Sequence, residues 1–257
     1  MNKRGSLNRL IKQYMDKHWL ELLLDTHSRE THKERESDGY FHPSSAGKCP
    51  RELWYELMGY EVKPVSVMSL RHFETGKIFH TALQEKFKSM NILDCAEKKV
   101  EYEDKSLPIK GTLDAVIYRL SNGKPYLIEI KSHKDSLKDS LTIDYNDDST
   151  VGSWDELKEP HINHRLQWNL YSLMTGVIEG CVFYINKNDL RYKLFDVQQD
   201  RDLINKELIK YRDVYEHIKQ KVLYPYQPEE NHIWCPYKDR CELDYRDEMR
   251  KQGNINE

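Results

Sequence analysis

The stretch IKGTLDAVIYRLSNGKPYLIEIKS, residues 109–132, decides how the chain is read. Two apolar runs, Ile109 to Leu120 and Tyr126 to Ser132, flank Ser121-Asn122-Gly123-Lys124, and Asn-Gly between apolar runs is a strong β-hairpin signal. Asp114 lies in the first arm and Glu129 in the second, with Lys131 two places on. Residues i and i+2 of a strand share a face. Glu129 and Lys131 therefore point the same way, and a twist or bulge is expected to bring Asp114 alongside. Two carboxylates about 4 Å apart repel by roughly 4 kcal/mol at an effective dielectric near 20, so they call for a cation. Carboxylate oxygens suit Mg²⁺ or Mn²⁺. A lysine beside such an ion can hold the attacking water or offset charge developing on a phosphate. Alone, Glu-Ile-Lys is also an ordinary surface alternation; its neighbours decide.

Outward from the hairpin, the periodicity changes. Upstream, Lys99 to Tyr102 reads as a short strand. A helix is expected from Leu70 to about Ser89, and another opens at Cys49-Pro50-Arg51 and runs to about Tyr60, with Pro50 suited to a first turn. Residues 26–39 are polar and read as a linker or an exposed helix extension. Before them Leu7, Leu10, Ile11, Tyr14, Met15, Trp19, Leu22 and Leu23 mark an amphipathic helix from Leu7 to Leu24. Downstream, residues 133–158 are Asp- and Ser-rich and read as a mobile excursion. A helix follows from Ile162 to Thr175, then strands at Gly180–Asn186 and Arg191–Val197, and a long charged helix from Arg201 to Lys221. From Tyr224 onward the chain carries Pro and Cys and ends in a polar tail. The order is that of one α/β domain with a mixed sheet and helical decoration at its start.

The 257 residues suffice for one large domain or two small ones. Charged residues make up 32% and the mean hydropathy is −0.84, yet 17 Tyr, 6 Phe and 5 Trp can build a core, which excludes wholesale disorder. No apolar run approaches a membrane span, and no apolar block follows the basic start, so a cytoplasmic protein is expected, in a prokaryote or a phage-infected host. A net charge of −3 does not announce a nucleic-acid binder, although a metal can supply positive charge locally. Five cysteines without an export signal favour metal ligation or buried thiols over disulfides.

In GKIFHTALQ, Gly76 and His80 stand one helical turn apart, as do Gln167 and Tyr171 in HRLQWNLY. The ordered set Gly76-x-x-x-His80, Gly111-x-x-Asp114, Glu129-Ile130-Lys131 and Gln167-x-x-x-Tyr171 resembles the PD-(D/E)XK nuclease superfamily, over about residues 41 to 245. The nearer likeness is to its RecB-like branch, with the CRISPR-associated Cas-four nucleases, their phage-encoded relatives and the AddB nuclease domain. The resemblance implies a restriction-endonuclease-like core, a mixed central sheet flanked by helices, at residues 96–222. An N-terminal helix and linker (1–40), a helical segment (41–95) and a C-terminal metal-binding segment (223–257) would surround it. His80, Asp114 and Glu129 would ligate Mg²⁺ or Mn²⁺, with the Ile130 carbonyl completing the shell. Lys131 would position the nucleophilic water, and Gln167 and Tyr171 would orient the site and the strand.

Iron–sulfur members of that branch carry one cysteine before the core and three after it, spaced C-x₂-C-x₅-C. Here Cys49, Cys235 and Cys241 fit, but His232 stands where the first late cysteine belongs. Three thiolates and an imidazole form a familiar zinc set; the family context favours a [4Fe–4S] cluster, in which His sometimes replaces Cys. Both remain open. Either would staple the start of the chain to its end. Cys181 reads as a buried small hydrophobe, and Cys95 has no evident partner.

For DNA, Arg51, Lys77, Arg165 and Trp168 are the expected contacts, with Lys48 and Arg71 as further phosphate candidates. Trp54, Tyr55 and Trp234 are possible stacking surfaces that core packing explains equally well. The resemblance implies a metal-dependent deoxyribonuclease, foremost an exonuclease preferring single strands or free ends, in recombination, replication or spacer acquisition. The alternatives are a structure-selective endonuclease on the same core and a non-catalytic, metal-stapled subunit. Protein partners in such machines are expected; the oligomeric state is left open.

Overall fold

The computed structural model describes residues 19–32, 37–62, 64–135, 151–228 and 235–251. Residues 7–18 of the expected first helix, 136–150 of the expected excursion, and His232 and Trp234 lie outside the described residues. Residues 19–31 are helical (α1). Cys49 precedes α2 (Pro50–Leu57), with Pro50 in the first turn, where its missing N–H breaks no helix bond. In α3 (Val67–Ser89), the Ser66 side chain accepts the Ser69 N–H, a cap that contributes about 1 kcal/mol. The strands β1 (Leu93–Glu101), β2 (Lys110–Tyr118) and β3 (Pro125–Asp135) form an antiparallel meander. The short β4 (Val151–Gly152) pairs with the end of β3 and leads into a 3₁₀ turn, Trp154–Glu156. The helix α4 (Ile162–Thr175) ends on Gly176 in the left-handed region, φ 74°. Next come β5 (Glu179–Asn186), β6 (Tyr192–Gln198), α5 (Arg201–Gln220), capped by Asp200, and α6 (Lys238–Lys251).

The sheet order is β1-β2-β3-β5-β6, with β4 attached to β3. β3 and β5 run parallel, and parallel neighbours need a long crossover, which α4 supplies. The restriction-endonuclease-like arrangement expected above, a mixed sheet flanked by helices, is the one observed. One core joins Leu127, Val182 and Tyr184 of the sheet to Trp168 and Tyr171 of α4. A second joins Ile128, Ile130 and Phe183 to Leu83 of α3, so alternate residues of β3 pack into different cores. A third cluster ties Trp54 and Tyr55 of α2 to Leu208 and Tyr211 of α5 and to Cys241 of α6.

Three expectations need correction. β1 begins six residues before the expected Lys99, because Glu97, Lys98 and Lys99 are exposed at the sheet's edge and mask any alternation. The tail contains α6, whose only buried described residue is Cys241, so it carries no apolar stripe to read. The described end of the expected excursion, residues 151–158, is anchored: Trp154 and Leu157 are buried, and Lys193 donates to the carbonyls of both.

Candidate active site

The β2–β3 ladder runs from Tyr118 opposite Pro125 to Ala115 opposite Ile128. The ladder stops there, and the alternation of β2 breaks around Asp114: Ala115 packs with Ile128 and with Leu83 of α3, whereas Leu113 packs with Leu127 and with Trp168 of α4. At this point Asp114 Oδ2 accepts the Ile130 N–H at 2.6 Å, so a side chain takes over where the ladder stops. The bond ties the Asp114 carboxylate directly to Glu129-Ile130-Lys131.

From one side α3 brings His80, whose Nδ1 lies 3.2 Å from Asp114 Oδ1. Gly76, one turn earlier, faces β3: a Cβ there would stand 3.4 Å from Ser132 Oγ, close to ordinary contact, so the approach does not itself demand glycine. From the other side α4 brings Gln167 and Tyr171. Lys131 Nζ donates to Gln167 Oε1 at 2.8 Å and lies 3.2 Å from Glu129 Oε1. Tyr171 Oη donates to the Thr112 carbonyl at 2.9 Å and also hydrogen-bonds to Gln167. Gly111 leaves room for that ring, since a Cβ would fall 2.8 Å from Tyr171 Oη. His80, Asp114, Glu129, Lys131, Gln167 and Tyr171 thus form one connected constellation from four elements.

Its charges are under strain. Burial, then the neighbouring Asp114 charge, pushes the Glu129 carboxyl well above the usual carboxylate range, despite Lys131 and His80. Burial opposes a charge on His80, but Asp114 and Glu129 outweigh it and raise the imidazole. Burial and then the Lys131 charge push His164, whose Nδ1 lies 2.7 Å from Tyr184 Oη, down to about 2. Buried Glu129 beside the half-buried Asp114 is an arrangement that a divalent cation would relieve.

Sequence reasoning missed Glu97. Its carboxylate, His80 and Asp114 offer ligand atoms that all lie within 4.8 Å of one another. Glu97 falls between the paired positions Ala96–Ala115 and Lys98–Leu113, opposite Asp114. Its φ is +50°, a left-handed conformation that costs a non-glycine residue about 1–2 kcal/mol. Gln84, one turn beyond His80, donates to Glu97 Oε1 at 2.8 Å and to the Asp114 carbonyl at 3.0 Å. Two carboxylates at the separation of this cluster repel by roughly 3–4 kcal/mol at an effective dielectric of 20. The signal that would have found Glu97 is the β1–β2 register, hidden with the start of β1.

Away from this constellation in sequence, Cys49 precedes α2, Cys241 lies in α6 and Cys235 just before it. Cys49 acts electrostatically on both other thiols; burial foremost, with Cys49 adding to it, pushes Cys235 up to about 12 and Cys241 up to about 11. Cys49 thus lies within electrostatic reach of both later thiols, although the three sulfur atoms do not all come within 4.8 Å of one another. Arg51 Nη2 and Trp54 Nε1 are buried without a hydrogen-bond partner among the described residues, and Arg51 acts on Cys241. Thiolates, or the sulfides of a cluster, are the acceptors such donors fit. His232 lies outside the described residues.

Two of the expected DNA contacts are corrected. Arg51 is 0% exposed and is held by Tyr55 and Glu248; Trp168 is also 0% exposed, and its Nε1 donates to the Leu127 carbonyl. Both are interior, and neither presents a surface to a strand. Trp54 and Tyr55 are core as well. Arg165 is partly exposed but paired with Asp200 at 3.0 Å. Lys48 pairs with Glu52 and Glu56, and Arg71 with Asp25 and Glu21. Lys77 is exposed on α3, next to Gly76.

No protein-family model and no curated protein sequence matches the chain. Two crystal structures of an alkaline exonuclease, LHK-Exo from Laribacter hongkongensis, overlay at 11% identity each. The first gives a TM-score of 0.47 over 72% of this chain and 90% of the other. The second, in complex with dAMP, gives 0.48 over 80% and 95%. The crystal structure of SSO0001 overlays over 88% of this chain and 97% of its own, at 19% identity and a TM-score of 0.53. With SSO0001 the chain shares its fold.

Proposed function

We propose that the chain is a divalent-metal-dependent deoxyribonuclease that hydrolyses phosphodiester bonds, acting as an exonuclease on single strands or free ends. The observation that carries this reading is the contact network of His80, Asp114, Glu129, Lys131, Gln167 and Tyr171, assembled from α3, β2, β3 and α4. His80, Asp114, Glu129 and the Ile130 carbonyl would hold Mg²⁺ or Mn²⁺. Such an ion lowers the pKa of its water and offsets charge on the attacked phosphate. Lys131, steadied by Gln167, would keep a water hydrogen-bonded near Glu129. In the reaction that water gives up a proton to solvent and bonds to phosphorus, the bond to the leaving sugar oxygen breaks, and that oxygen takes a proton from solvent. Tyr171 keeps Gln167, and through it Lys131, in place. Lys77, exposed on α3 three places before His80, would contact a backbone phosphate.

Cys49, Cys235, Cys241 and His232 would hold zinc or a [4Fe–4S] cluster as a structural staple between α2 and the C-terminal segment. Closing so long a loop costs entropy that grows only logarithmically with length, which a metal bond set readily offsets.

The test is digestion of end-labelled linear and of circular single-stranded DNA with Mg²⁺, Mn²⁺ or EDTA. Metal-dependent loss of the linear substrate with survival of the circle is the expected result. Nicking of the circle would make the enzyme an endonuclease, and inertness toward all DNA would refute the reading.

A further inference from the structure

We infer that Glu97 is a ligand of the divalent cation at this site, joining His80 and Asp114; the inference rests on the metal centre proposed above and adds a residue to it. Three elements meet here: α3 supplies His80, β1 supplies Glu97 and β2 supplies Asp114, with ligand atoms all within 4.8 Å of one another. Around Mn²⁺ or Mg²⁺, with bonds near 2.1 Å, ligand atoms stand about 3–4 Å apart, so a small side-chain adjustment closes the cluster. One imidazole nitrogen with carboxylate oxygens is a donor set that Mn²⁺ accepts.

The position of Glu97 is not that of an idle surface acid. It is exposed on the sheet's edge strand, where a long side chain is ordinarily free to leave a like charge for solvent. Instead its backbone adopts a left-handed conformation inside β1, and Gln84 grips Oε1. The same Gln84 nitrogen reaches the Asp114 carbonyl, so one amide fixes Glu97 to the strand that carries its metal partner. The bond to Gln84 uses Oε1 and leaves Oε2 for an ion. Gln84, four places after His80 on the same helix, is a positioning residue that holds the Glu97 carboxylate by a hydrogen bond, as the outer partners of metal ligands do.

The experiment is a Mn²⁺ titration of the purified full chain, followed by the loss of the free-ion electron paramagnetic resonance signal. The wild type is compared with Glu97→Gln, Gln84→Ala, His80→Ala, Asp114→Asn and, as a charge control on the same strand, Glu101→Gln. Thermal unfolding in EDTA checks that each variant folds. Glu97→Gln is expected to weaken Mn²⁺ binding by about 10-fold or more, and Gln84→Ala by less, while Glu101→Gln leaves it unchanged. The metal-free melting temperature of Glu97→Gln should equal or exceed that of the wild type, because a repulsion is removed, and its gain on adding Mn²⁺ should shrink. Wild-type affinity in Glu97→Gln, alongside loss in His80→Ala and Asp114→Asn, would overturn the role of Glu97 and leave the nuclease centre standing. Equal weakening by Glu97→Gln and Glu101→Gln would reduce the effect to bulk charge and also overturn it. A wild type with no saturable Mn²⁺ binding would overturn both.

Discussion

Gly111→Ala is a one-methyl test of how the site is packed. The added Cβ would meet Tyr171 Oη at 2.8 Å, Tyr171 Cε1 at 2.9 Å and Pro43 Cδ at 2.9 Å. Neither neighbour can yield cheaply, since Tyr171 is 3% exposed and Pro43 is buried in its 3₁₀ turn. Overpacking of a buried position costs about 1–3 kcal/mol. Displacing the ring also strains the bond from Tyr171 Oη to the Thr112 carbonyl, and a buried polar group left unmatched costs about 1–3 kcal/mol. These costs overlap, because one movement relieves the clash and strains the bond; a total of about 2–4 kcal/mol is expected. For a chain of this size that corresponds to a fall in Tm of roughly 5–15 °C. The assay is thermal and urea unfolding of the wild type, Gly111→Ala, Tyr171→Phe and the double variant. Because Tyr171→Phe removes the nearest clashing atom, alanine at 111 should cost about 1 kcal/mol less in that background. A cost below ~0.5 kcal/mol in the wild type, or the same cost in both backgrounds, would refute the packing argument.

Three further outcomes are expected. His164 stays neutral when folded, so below pH 6.5 the unfolded chain takes up a proton that the folded chain refuses until about pH 2. Stability should fall by up to ~1.4 kcal/mol per pH unit as pH drops through that window, and urea midpoints from pH 7 to 5 should show a flatter slope in His164→Gln. Glu129 acts with the opposite sign: its raised pKa makes metal-free stability decline as pH rises from the ordinary carboxylate range through the raised value. Glu129→Gln should remove that decline, together with the proton released on Mn²⁺ binding, read by calorimetry in buffers of different ionisation enthalpy. Metal analysis of the purified protein should find about one zinc or four irons per chain, lost with a lower Tm in Cys235→Ser; a metal-free protein with unchanged Tm would remove the staple.

What was legible in the sequence follows from where the burial signal is strong. The helix Ile162–Thr175 has the bounds expected of it, since its apolar residues pack into two cores and Gly176 ends it with a positive φ. The hairpin around Asn122-Gly123 and the buried strand β5 were equally readable. β1 was not: as an edge strand with exposed Glu97, Lys98 and Lys99, it shows no alternation, and Glu97 was lost with it. Arg51 misled for a related reason. Nothing local marks an arginine for burial; its partners Tyr55, Tyr226 and Glu248 come partly from segments nearly two hundred residues away. The motif residues His80, Asp114, Glu129, Lys131, Gln167 and Tyr171 were legible by order and spacing. The bond from the Ile130 N–H to Asp114 Oδ2, which joins the two arms at the site, belongs to the folded sheet.

The most direct test of the nuclease reading compares DNA digestion by the wild type with that by Lys131→Ala and Glu129→Ala, in Mn²⁺, with DNA binding measured alongside. Both substitutions should abolish release of acid-soluble nucleotide, while DNA binding and the folded state persist. Digestion at the wild-type rate in either variant would contradict the assignment of the site.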